Sequence, residues 1–240
     1  MSDIANMGHL FEAISASLEN GDRLLEDAQY LLDFERYPTA YALSILAQEE
    51  FAKAFLLHLI DAGAIPWNSE VRRTLRDHTC KQLFAVVMDF LEPDFDEFIR
   101  RLKGDKSMDL RFPARISGAL NIIRYEKVPR QDESAWKMES DPSCDPQARE
   151  VADGQIDKRK QDALYVRLAK NGQVASIPSR IGATEATEEF EKAARLGRVL
   201  SRHEGEISCT FSLEYEMIAE TFKVLFELQS VEEYNKHWWA

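Results

Sequence analysis

Residues 37–60 read YPTAYALSILAQEEFAKAFLLHLI, and the reading of this stretch decides the fold. It holds no glycine, and Pro38 sits in what would be the first helical turn, where a missing N–H costs nothing. Apolar residues fall on nearly every face of the resulting helix, the pattern of a rod surrounded by other helices. With Glu49 set at zero and about 100° per residue, Lys53 falls near 40° and Glu50 near 100°. Charges among so many apolar neighbours must be paired. Glu49 and Lys53, acid first at a spacing of four, predict an intrahelical ion pair that leaves Glu50 exposed. A di-iron bundle would need Glu-x-x-His on paired helices. Here Glu50 lies eight residues from His58 and no second helix repeats the pair, so no metal and no cofactor are expected.

Working outward, Asp3 to Phe34 carries leucines and alanines at three- and four-residue spacing and predicts a helix that Asn20-Gly21 need not end. Glu35 to Pro38 is a short connection, so the first two helices pack antiparallel, with Gly63 as the stop of the second. Asn68 or Ser69 caps a third helix running past His78 to about Leu91, and Pro93-Asp94 opens a shorter one to about Gly104. Ala114 to Arg124 is a further amphipathic helix. Glu126 to Gly154, with Pro129, Pro142 and Pro146, many acids and little apolar periodicity, reads as a long loop. Asn171-Gly172 between Leu164–Leu168 and Val174–Ile177 predicts a β-hairpin. Lys158-Arg159-Lys160 reads as its approach. Thr184 caps a helix to about Arg202, another covers Ser212 to Leu228, and Ser230 with Glu233 makes a capping box. The fold class is therefore mainly α, an antiparallel helical bundle with extra C-terminal helices and one small β-hairpin. The chain divides into a helical core at 1–125, a polar loop or insertion at 126–160, and a hairpin with C-terminal helices at 161–240 packing on the same domain.

The 240 residues, 45% apolar and 10% aromatic, are enough to bury a core. A net charge of -12 disfavours indiscriminate polyanion binding, and no DNA contact is expected. Cys80, Cys144 and Cys209 are too far apart for a zinc site or a disulfide framework and read as reduced thiols of a cytoplasmic protein. The amino terminus lacks the features of a signal peptide, and the longest apolar run falls short of a span, so no membrane contact is expected.

Leu24-Leu25-Glu26-Asp27-Ala28, the run Arg36-Tyr37-Pro38-Thr39-Ala40-Tyr41 through Ala47-Gln48-Glu49-Glu50-Phe51-Ala52-Lys53-Ala54, and Lys160-Gln161-Asp162-Ala163-Leu164-Tyr165-Val166 carry a resemblance. Together they resemble the AbiV-type abortive-infection family within the HEPN group. The resemblance implies a HEPN helical bundle, a role in bacterial defence against phage, and a homodimer. The family usually has Leu and Gly where this chain has Phe51 and Ala52.

Many HEPN proteins are metal-independent ribonucleases with an Arg-x(4–6)-His motif, in which His moves a proton and Arg stabilises the phosphate transition state. Arg73 and His78 fit this spacing, Arg72 fits one residue wider, and Arg198 with His203 fits as well. With five histidines, about one such match arises by accident. Context favours the first pair, because Arg72, Arg73, Arg76 and Lys81 surround His78, as a phosphodiester site in an acidic protein requires. Against it, residues five apart lie about 140° from each other on a continuous helix. The plain alternative is a solvated basic face. Arg73 and His78 are thus the candidate catalytic residues, with Glu49, Glu50, Lys53, Arg72 and Arg76 as a supporting polar cluster. RNA is one expected partner. The other reading is a non-catalytic protein of the same fold that binds a phage or host protein, with the polar 126–154 segment ordering on it.

Overall fold

In a computed structural model of the chain, the described residues are 7–91, 114–128, 146–203, 206–209, 212–230, 232–233 and 236. Helices α1 (Met7–Asp33) and α2 (Tyr37–Asp61) form the antiparallel pair, with Gly21 inside α1. Their turn closes through Arg36 N–H donating to Leu31 O at 2.7 Å. Asp61 ends α2, and Gly63 follows at φ +71°, which glycine adopts without a Cβ clash.

Helix α2 is the central rod. Ala40, Ala47, Phe51, Ala54, Phe55 and Leu59 are fully buried. Around it stand α1, α4 (His78–Leu91), α7 (Gln155–Leu164) and α8 (Ala183–Val199). Phe84 of α4 stacks on Phe222 of α9 (Ser212–Leu225), centroids 5.4 Å apart.

The expected helix from Asn68 past His78 is two helices. Asn68 Oδ1 accepts from Val71 N–H at 2.9 Å and caps α3 (Ser69–Thr74). Asp77 Oδ1 accepts from Cys80 N–H at 2.9 Å and caps α4. A side-chain acceptor that satisfies an amide of the next first turn ends one helix and begins another. His78 is consequently the first residue of α4, and the 140° separation from Arg73 on one continuous helix does not apply.

The stretch expected to be loop to Gly154 and polar insertion to residue 160 holds structure at both ends. After α5 (Ala114–Ile122) a wider π-type turn runs over Ile123–Lys127. Helix α6 (Pro146–Ala152) buries Ala148, Val151 and Ala152, and α7 follows at once from Gly154. Three small or branched apolar residues on a short helix are too few to stand out as periodicity against the acidic residues before them. Lys158, Arg159 and Lys160 lie inside α7 and are not a loop approach to the hairpin. The expected helix at 94–104 lies outside the described residues.

The hairpin at Asn171-Gly172 forms as expected, with β1 (Arg167–Leu168) antiparallel to β2 (Val174–Ser176) and Gly172 at φ +81°. A short 3-10 turn (Pro178–Arg180) leads to α8. That helix starts after Gly182 without a side-chain cap, so Thr184 is inside it. It ends at Val199, and β3 (Leu200–His203) pairs with β4 (Glu206–Cys209) where the last helical turn was expected. The capping box at Ser230 forms: its Oγ accepts from Glu233 N–H at 3.2 Å, and its N–H donates to Glu233 Oε2 at 2.9 Å.

Phe51 explains two glycines. It is fully buried, and a Cβ on Gly21 of α1 would stand 2.5 Å from its Cε1, while one on Gly197 of α8 would stand 3.1 Å from its Cζ. Overpacking costs about 1–3 kcal/mol, against about 1 kcal/mol gained when alanine replaces a helical glycine. Gly21→Ala is expected to lower the unfolding free energy by up to about 2 kcal/mol, and the same change in a Phe51→Leu background to cost less or to stabilise. Urea denaturation of the four members of this double-mutant cycle measures the coupling.

Candidate functional site

The candidate site is built around a carboxylate that helix α2 carries into the interior. Glu49 is 1% exposed. Its expected partner Lys53 does not reach it. Lys53 Nζ pairs with Glu50 Oε2 at 3.1 Å, one turn away on the half-buried side of α2. Glu49 is met by side chains from two other helices. His78 Nδ1 of α4 lies 2.5 Å from Oε2, and Lys81 Nζ lies 3.2 Å from the same oxygen. Gln82 Nε2 donates to Oε1 at 3.0 Å, and Lys160 Nζ of α7 donates to Oε1 at 2.7 Å. Lys160 also pairs with Asp157 Oδ1 at 2.9 Å.

The helical repeat explains this convergence. His78, Lys81 and Gln82 are three and four residues apart and share one face of α4. Asp157 and Lys160 are likewise three apart on α7. Lys81 and Lys160 are buried, and with Glu49 and Asp157 they balance to zero charge when His78 is neutral. Burial opposes ionisation of Glu49, but hydrogen bonding and charge from Lys160, then the His78 bond and the Lys81 charge, outweigh it and hold the carboxyl below its ordinary value. Asp157 is also held low: burial opposes its charge, and the Lys160 ammonium overcomes it.

A nitrogen and a carboxylate oxygen 2.5 Å apart need a proton between them, so Nδ1 of His78 carries a hydrogen and donates to Glu49. In the neutral imidazole that tautomer leaves the lone pair on the opposite ring atom, Nε2. The side chains differ sharply in exposure: 52% for His78 and 2% for Glu49. The carboxylate is inside and the imidazole reaches the surface, an arrangement suited to general-base chemistry.

Arg73 is placed elsewhere. Its Nη2 donates to Val128 O at 2.7 Å, and among the described residues no hydrogen bond or ion pair joins it to His78 or Glu49. Arg72 and Arg76 are exposed beside it on the surface. Arg198 closes α8, where its Nη1 donates to Ala194 O at 3.3 Å, and His203 lies on β3, so this second Arg/His pair spans a helix-to-strand boundary. Cys80 is a buried free thiol that burial pushes up to about 12, an unreactive state. A cleft of about 480 Å³ lies between the α1–α2 turn and the end of α7, and none of its lining residues belongs to the Glu49 cluster. No described helix is long and apolar enough to cross a membrane.

From the sequence, Glu49 is matched with Lys53 and His78 with Arg73; that Glu49 and His78 share one cluster with Lys160, Asp157, Lys81 and Gln82 is visible only in the structure. Two signals were present: Lys160 opens the second stretch of family resemblance, and Lys81 ends the cationic run around His78.

The carboxyl of Glu49, with its lowered folded value, contributes stability that is present above its ordinary value of 4.5 and lost as pH falls through the folded one. Asp157 adds to the same acid limb. Glu49→Gln is expected to flatten that limb and to lower stability at neutral pH by about 3–5 kcal/mol, because two buried ammonium groups lose their counter-charge. Denaturation midpoints between about pH 3 and 7 test both expectations.

No curated protein and no solved structure matches the chain. The family model for AbiV of the HEPN type matches residues 9–198, which span α1 through nearly all of α8 and include every residue of the Glu49 cluster. With a helical bundle around α2 and a match over most of its length, the chain belongs to the AbiV family of HEPN proteins, a family of abortive-infection defence.

Proposed function

We propose that this abortive-infection protein is a metal-independent endoribonuclease in which His78, oriented by Glu49, is the general base. The observation that carries the reading is the pairing, through Nδ1, of a half-exposed imidazole with a buried carboxylate. On RNA, Nε2 takes the proton of a 2′-hydroxyl, the oxygen attacks the adjacent phosphorus, and the 5′-oxygen leaves with a proton. Products are a 2′,3′-cyclic phosphate and a 5′-hydroxyl. A homodimer would supply the second proton-bearing group, the protonated His78 of another copy. Arg72, Arg73 and Arg76, exposed on α3 and in the turn before His78, would supply the positive charge that a phosphate backbone needs in a chain of net charge -12.

One observation favours a second reading, a protein that binds a phage or host protein. Leu164, Tyr165, Val166, Leu168 and Val174 are exposed, an apolar run along one hairpin.

Purified protein incubated with cellular RNA in excess EDTA tests the first reading. Cleavage should fall about 10²–10⁴-fold in His78→Ala, with the fold retained because this side chain is half outside, and should fall in Arg73→Ala as well. RNA left intact by the wild type, while His78→Ala still loses protection against phage, would establish the binding reading in its place. Mass measurement in solution tests the dimer.

A further inference from the structure

Glu49, His78 and Asp157 each bring one metal-ligating atom to within 4.8 Å of the other two. An ammonium stands among them: Lys160 Nζ is 2.7 Å from Glu49 Oε1, 2.9 Å from Asp157 Oδ1 and 3.4 Å from His78 Nδ1. We propose that Lys160 fills a divalent-cation site as a built-in substitute for the metal, and that removing its ammonium converts the cluster into a metal centre.

Three features support this. The donor set, one imidazole and two carboxylates, is one that zinc accepts, at distances of about 2.0–2.2 Å. The contacts to the ammonium are longer by less than about 1 Å for the two carboxylates and by about 1.3 Å for the imidazole, so side-chain rotations bring the ligands in once the lysine is gone. Second, Gln82 is 5% exposed, its Nε2 is bound to Glu49, and its Oε1 has no hydrogen-bond partner among the described residues. A buried acceptor beside the cluster with no donor among them is suited to a cation or to water bound on one. Third, the half-exposed His78 ring gives an ion a path in from solvent.

Lys160 is, on this view, what makes the site independent of metal. The inference deepens the ribonuclease reading but rests on geometry alone, and its test reads zinc binding rather than cleavage, so the two fail separately.

Calorimetric titration with Zn²⁺ on the full chain compares wild type with Lys160→Ala and Lys160→Ser. Both variants are expected to bind one zinc at least on the order of tenfold more tightly than the wild type, with a rise in Tm, and to lose that gain when Asp157→Asn is added. A wild type that binds zinc as tightly through Glu49 would overturn the proposal. So would two variants that bind no better than wild type, or that remain unfolded when refolded with zinc present.

Discussion

The structure depends on one buried carboxylate being fully met. Glu49 lies on the helix that α1, α4, α7 and α8 pack against, and an unmet charge there would cost about 3–5 kcal/mol, a large share of a domain's margin of stability. Two ammonium groups, an imidazole and an amide from α4 and α7 answer it. The same contacts fix the positions of both helices against α2. Stability and the placement of His78 are therefore coupled at one residue: the carboxylate that α4 and α7 make tolerable is the one that holds the imidazole.

The α2 helix imposes a second constraint through shape. The Phe51 ring lies between helices that approach it at glycines on either side. Its bulk is thus matched by residues far away in sequence, Gly21 and Gly197. This is close packing, in which the volume of one side chain dictates what its neighbours can be. From sequence, Asn20-Gly21 is a dipeptide that need not end the helix; the structure shows why a glycine stands there, in contact with a ring.

How much was legible follows from how local each interaction is. The Asn68 cap, the Asn171-Gly172 turn and the Ser230–Glu233 box were readable because each is settled within four residues. The central position of α2 was readable because apolar residues on all faces admit little else. The Glu49–Lys53 pair failed because the local rule offers a few tenths of a kcal/mol, and tertiary partners that desolvate the carboxylate offer much more. Asp77 was missed as a helix start because apolar periodicity runs straight across it. Lys160 could not be found by spacing at all, since 111 residues separate it from Glu49.

That separation sets an order of assembly. A chain emerging from the ribosome carries Glu49 and His78 well before Lys160, and until α7 docks the carboxylate lacks the buried ammonium on Oε1. The cluster is thus completed only when a helix that follows Glu49 by 111 residues has docked, so its balance of charge is a late event of folding.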